Sequence, residues 1–200
     1  LRCEFIVKND SKNEKIMVPI YIIGMGGVGK SSITLRFVND MFLETYDPTI
    51  EDSYQKSIIV DGVEESVEIV DTAGQEEYET MRDCWARTGK AFIVVYSIDD
   101  PNSFDEVETR IKEIKKYRQD EVFPMLIVGN KSDLSEERRV TFDEGKALAD
   151  SWDCPFFETS AKSKTNINTA FFEIIREYRR MQKTQRCIVR QPRQRRCIVM

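Results

Sequence analysis

The chain has 200 residues, 40% hydrophobic and 32% charged, which suits one compact domain with a sizeable buried core. It contains no histidine, which excludes Ser-His-Asp triads, Cys-His dyads, imidazole bases and histidine-bearing zinc sites, and its five scattered cysteines form no CxxC pair, against a disulfide framework and for a reducing compartment. The net charge of −5 divides unevenly: residues 179–200 carry eight basic groups and no acid, while the remainder carries 22 basic against 35 acidic residues. Residues 1–14 are polar for most of their length, lack the apolar core of a signal peptide and are expected to be a disordered extension. IMVPIYII (16–23) reads as a buried strand ending at Gly24; Pro19 inside it has no N–H to donate, so a bulge there, or a strand starting just after it, is expected. A helix is expected over 31–39 and a long polar loop over 42–51. SYQKSIIV (53–60) and VEESVEIV (63–70), joined by Asp61-Gly62, form a hairpin signal. AFIVVYSI (91–98) and FPMLIVGN (123–130) are near-continuous apolar runs, as in strands covered on both faces, and 155–159 supplies one more strand. Apolar residues at helical spacing place helices over 102–119, 141–151 and 166–183. This alternation predicts an α/β fold with a mostly parallel sheet and one antiparallel edge strand.

Three groups of residues carry chemistry. Gly24-Met25-Gly26-Gly27-Val28-Gly29-Lys30-Ser31 satisfies GxxxxGK[ST] between a buried strand and a helix. Its glycines let successive N–H groups converge on phosphate oxygens, Lys30 reaches the β- and γ-phosphates, and the Ser31 hydroxyl can meet Mg2+. Asn130-Lys131-Ser132-Asp133 lies at the end of an expected strand, at the carboxyl edge where α/β sheets bind ligands. The Asp133 carboxylate can accept from the ring N–H and the exocyclic amine of guanine, a donor pair adenine does not offer. Asn130 would brace this loop against the phosphate cradle, the Lys131 stem would lie along the purine, and Ser160-Ala161-Lys162 can present a backbone N–H to guanine O6. Asp71-Thr72-Ala73-Gly74-Gln75 follows the hairpin: Asp71 can hold Mg2+ through water, the Gly74 N–H can meet the γ-phosphate, and Gln75 can orient an attacking water. Thr49 is the remaining candidate metal ligand. Two loops that both touch the γ-phosphate and its metal are released when that phosphate leaves, which makes a switch.

These motifs, with Tyr46-Asp47-Pro48-Thr49-Ile50-Glu51-Asp52-Ser53-Tyr54, resemble the Ras branch of the small GTPases over residues 15–183. The resemblance implies a P-loop G domain with a six-stranded sheet and about five helices, binding GDP or GTP with Mg2+. It implies nucleotide contacts from Gly26, Gly27, Val28, Gly29, Lys30, Ser31, Ser32, Phe42, Tyr46, Pro48, Thr49, Gly74, Asn130, Lys131, Asp133, Leu134, Ser160, Ala161 and Lys162. Metal contacts fall to Ser31, Thr49 and, through water, Asp71, and catalytic roles to Gln75, Lys30, Gly74 and Thr49. Phe42 should pack edgewise on guanine and Tyr46 close over the phosphates. Residues 46–54 become an effector loop whose acidic character predicts a basic partner surface; a GTPase-activating protein and a guanine nucleotide exchange factor are the other implied partners, and the chain is expected to be a monomer. Met25 stands where Ras carries alanine, Gly26 keeps the glycine that hydrolysis needs, and Cys84 and Trp85 replace a polar residue and a tyrosine of close Ras relatives. Gln75 argues against a close Rap, and the YDPTIEDSY loop against Rab and Rho.

Cys197-Ile198-Val199-Met200 has the form of a CaaX box whose terminal Met favours farnesyl, and Cys187 is a candidate for palmitoylation. One lipid gives marginal binding, so residues 184–200 are expected to be a disordered tail whose basic groups supply the second signal to an anionic membrane, in preference to nucleic acid. The expected location is the cytoplasmic face of the plasma membrane. Two other classes compete with the hydrolytic switch. A P-loop phosphotransferase would need a lid with catalytic arginines and no guanine reader, and a GTP-binding scaffold would use the same contacts with little hydrolysis.

Overall fold

The computed structural model describes residues 17–43, 51–72, 85–118 and 121–189. In chain order they form β1 (Met17–Ile23), α1 (Lys30–Asn39), β2 (Glu51–Val60), β3 (Val63–Thr72), the helical residues 85–88 (α2), β4 (Ala91–Ser97), α3 (Pro101–Arg118), β5 (Met125–Asn130), α4 (Phe142–Ser151), β6 (Phe156–Glu158) and α5 (Ile167–Val189). The six strands make one sheet in the order β2-β3-β1-β4-β5-β6, with β2 antiparallel to β3 at the edge and every other pair parallel. With five helices around it, this is the architecture of a P-loop G domain.

The central strands read as unbroken apolar runs because both faces of the sheet are covered. Along β4, Ala91, Ile93 and Val95 join a core with Ile33 and Phe37 of α1 and Phe171, Ile174 and Ile175 of α5. The alternate residues Phe92, Val94 and Tyr96 join a second core with Trp85, with Val107, Ile111 and Ile114 of α3 and with Ala149 of α4. Stacking of the Phe37 and Phe171 rings, with centroids 3.8 Å apart, ties α1 to α5. The hairpin turns as Asp61-Gly62 predicts, both residues taking left-handed φ values of 52° and 76°. A capping box starts α4: the Thr141 hydroxyl accepts from the Glu144 N–H, and the Glu144 carboxylate accepts from the Thr141 N–H.

Two expectations need correction. Pro19 neither starts nor bulges the strand, since β1 pairs with β3 in unbroken register from Met17 through Ile22. In a parallel strand the N–H and C=O of one residue face the same neighbour, and the Pro19 C=O accepts from Lys90 N–H on the β4 side, where regular pairing begins only at Ile20 opposite Ala91. The missing donor therefore faces a position with no ladder bond to lose. The last helix does not stop at 183: it runs on to Val189, so the tail expected to be disordered from 184 is helical over its first six residues. Residues 184–189 contain neither Gly nor Pro, and the first helix breaker after them is Pro192. The 1–14 extension lies outside the described residues.

Candidate functional site: a phosphate cradle joined to a base pocket

Because β1, β3, β4, β5 and β6 run parallel, the segments that leave their carboxyl ends gather at one edge of the sheet. The turn after β1 (24–29), the end of β3 at Asp71 and Thr72, the turn after β5 (131–134) and the turn after β6 (159–162) all lie there. The N-cap of α1 is Gly29 in a left-handed conformation, φ 94°, with no side-chain cap, so the first N–H groups of the helix remain directed into the cradle. A Cβ on Gly29 would collide with the Asn130 amide, so the position is closed to any side chain twice over.

Lys30, 6% exposed, lies across the turn and donates to the Gly24 and Met25 carbonyls, each at 2.9 Å. Burial lowers its pKa from 10.5 to about 8, with Asp71 acting in the opposite sense. Asp71, 1% exposed, is pushed up from 3.8 to about 6, chiefly by burial, against a hydrogen bond from Ser31 and the charge of Lys30. Its Oδ1 has no hydrogen-bond partner among the described residues. A buried carboxylate oxygen with an unmet lone pair, beside the hydroxyl of Ser31, is a donor set that suits a hard cation such as Mg2+. Ser32 follows in the first turn of α1, and Val28 is buried beneath the cradle.

The base side is built on β5 and β6. Asn130 is 1% exposed and donates through Nδ2 to the Val28 carbonyl at 2.8 Å, while its Oδ1 accepts from Thr159 Oγ1 at 3.1 Å. One amide thus locks the phosphate turn to the base turn, the brace the sequence predicts. Lys131 takes φ 64°, and its Nζ sits 3.5 Å from Asp99 Oδ2. The Ser160 hydroxyl donates to Asp133 Oδ1 at 2.6 Å and accepts from Ser163 N–H at 3.0 Å, so the carboxylate expected to read guanine is held from the second turn. Leu134 closes the first turn through its N–H to the Lys131 carbonyl at 2.9 Å. Phe42 is half-buried against the α1–α5 core.

Of the effector segment, Glu51, Asp52, Ser53 and Tyr54 open β2, where Asp52 pairs in register with Asp71 and Ser53 Oγ donates to Glu68 at 2.8 Å. Tyr46, Asp47, Pro48, Thr49, Ile50, Gly74, Gln75 and Cys197 lie outside the described residues, and Cys187 falls within α5. Sequence reasoning missed two contacts of this region. The Trp85 indole N–H donates to Glu51 Oε2 at 2.7 Å, joining the start of β2 to α2. Arg36 reaches from α1 to the Ala161 carbonyl at 2.7 Å, across 125 residues of sequence, and no local pattern signals such a contact.

The model of the Ras family matches residues 19–180, from the first strand through most of the last helix. With that match, this sheet order and a phosphate turn of this form, the chain belongs to the Ras family and is a small GTPase of the Ras superfamily.

Proposed function

We propose that this chain is a Ras-branch switch that binds GTP and GDP, hydrolyses GTP, engages effectors in the GTP state and works from the cytoplasmic face of the plasma membrane on a prenyl anchor at Cys197. The observation that carries the nucleotide reading is the pair of links between the turns: Asn130 to Val28 at 2.8 Å and Ser160 to Asp133 at 2.6 Å. A cradle for phosphates and an acceptor for the guanine edge are then parts of one rigid body, so a ligand carrying both groups gains from both without ordering either.

Ser31 and Asp71, with Thr49 from the preceding loop, would hold Mg2+. The chemistry it supplies when bound is neutralisation of charge on the β- and γ-phosphate oxygens. Lys30 exchanges its two carbonyl acceptors for phosphate oxygens, regaining solvation lost on burial. Gln75 orients water toward the γ-phosphate, and Gly74 N–H holds that phosphate. No basic residue lies between Arg36 and Lys56, so the first switch loop has no cation of its own to meet charge developing in the transition state. Arg110, a buried cation of α3 whose charge acts on Lys30, is already paired with Glu106 and Glu113. A GTPase-activating protein supplying an arginine is the expected remedy, and an exchange factor resets the cycle.

The nucleotide released from freshly purified protein tests the reading first: GDP supports it, GTP alone favours the scaffold, and adenine nucleotides overturn it. Single-turnover hydrolysis should be slow alone and rise about 10³- to 10⁵-fold with a Ras-type activating protein, a range set by Ras-family enzymes themselves. Gln75→Leu should abolish the acceleration. Fast turnover by the isolated chain would mean that another group supplies the charge.

A further inference from the structure

Arg36 sits in the last turn of α1, outside every motif of the family, yet its guanidinium organises the turn after β6. Nε donates to the Ala161 carbonyl at 2.7 Å and Nη2 to the Lys162 carbonyl at 3.3 Å. Nη1 donates to the Asp40 carbonyl at 2.9 Å and lies 3.5 Å from the Asp40 carboxylate. Asp40 in turn meets Lys164 Nζ at 2.7 Å, so the same turn is fastened to the end of α1 on both flanks. The guanidinium carbon is 5.7 Å from the centre of the Phe42 ring, and the side chain is 15% exposed.

In a trans peptide the C=O and the following N–H point in opposite directions. Arg36, by holding the carbonyls of Ala161 and Lys162, turns the N–H groups of Lys162 and Ser163 away from itself. The Ser163 N–H is received by Ser160 Oγ at 3.0 Å, the hydroxyl that also holds Asp133. The Lys162 N–H is therefore presented on the side of the turn away from α1. We infer that Arg36 is a positioning residue for base selection, holding the Ala161–Lys162 segment of the turn whose backbone N–H groups can receive guanine O6. This rests on the guanine reading above. A planar fork is required, because separate nitrogens reach separate carbonyls in fixed geometry, which a lysine ammonium cannot reproduce.

The test compares release of bound GDP and of 6-thio-GDP, after dilution into excess GTP, from the full chain and its Arg36→Ala variant. The thio analogue keeps the two donors that face Asp133 and replaces O6 with a weak acceptor. Arg36→Ala should release GDP about tenfold faster, the scale of one lost hydrogen bond, and release of 6-thio-GDP should change much less. Arg36→Lys is the second variant should the alanine chain fail to fold; it keeps the charge and should show the same narrowing in smaller measure. Equal acceleration of both nucleotides, or release at the parent rate, would overturn the inference and leave the guanine reading standing. A parent chain that holds neither nucleotide would overturn that reading, and the inference with it.

Discussion

Asp71 and Lys30 face each other under opposing penalties. The folded, ligand-free chain holds the Asp71 proton up to about pH 6, whereas the unfolded chain releases it near 3.8. The folded state therefore binds more protons across that window, and stability falls as pH rises through it. For Lys30 the folded value of about 8 lies below 10.5, so the unfolded chain binds more protons between them and stability recovers as pH rises. Between about 6 and 8 both groups are charged and poorly solvated, so the contribution of this pair to the stability of the ligand-free protein is lowest near neutrality. Asp71→Asn should remove the first penalty. Urea unfolding of chelator-treated, nucleotide-free protein at pH 7 should show the variant more stable on the order of 2 kcal/mol, with the difference fading toward pH 4. Asp133→Asn exchanges one acceptor for an amide donor and should turn preference from guanine toward xanthine, which competition among GTP, XTP and ATP would reveal. GTP preference left intact in that variant would mean that another residue reads the base.

Among the elements, α4 depends most visibly on a local device. Thr141→Ala removes the acceptor for the Glu144 N–H and should cost about 1 kcal/mol of stability, measurable as a lower denaturation midpoint in the GDP-bound protein. Much of the sheet is legible without coordinates, because β4 and β5 are buried on both faces, β1 is an apolar run buried on one, and Asp61-Gly62 marks the only tight hairpin of the described chain. The cradle and the base turns are legible for a different reason: close backbone approach to phosphate demands glycine, and a guanine edge demands a carboxylate. Two features resist such reading. Pro19 looks like a defect until the strand order shows its missing donor facing a stretch where β4 has not begun. Arg36 resembles an ordinary cation in a last helical turn, since its partners at 161 and 162 are distant in sequence and are backbone carbonyls, which leave no mark on residue identity.

At the scale of the molecule, an acidic body carries a basic end. Arg176 pairs with Asp61 and Arg179 with Glu65, so the cations nearest the sheet are already neutralised by the hairpin. The basic residues from 190 onward, Arg190, Arg193, Arg195 and Arg196, are then the ones to assign to an anionic leaflet. Prenylated protein should bind anionic vesicles, more weakly as salt rises, and neutralising those four arginines should remove most of the salt dependence. Cys197→Ser should stay in solution at physiological ionic strength. Firm binding by that unprenylated variant would sink the lipid argument.

The Trp85 bond to Glu51 also places an indole where its light should report on the start of β2. Of the two tryptophans in the chain, Trp85 is 7% exposed and bridges the beginning of β2 to the helix that follows the Asp71–Gln75 segment, whereas Trp152 sits on α4's far end beneath Lys115. An indole's emission depends on its hydrogen bond and its wetting. Any rearrangement that parts Glu51 from Trp85 would change the native fluorescence, while Trp152 contributes a steady background that a phenylalanine could remove. Nucleotide exchange could then be followed on the unlabelled chain, in real time, by light from an indole of the second core.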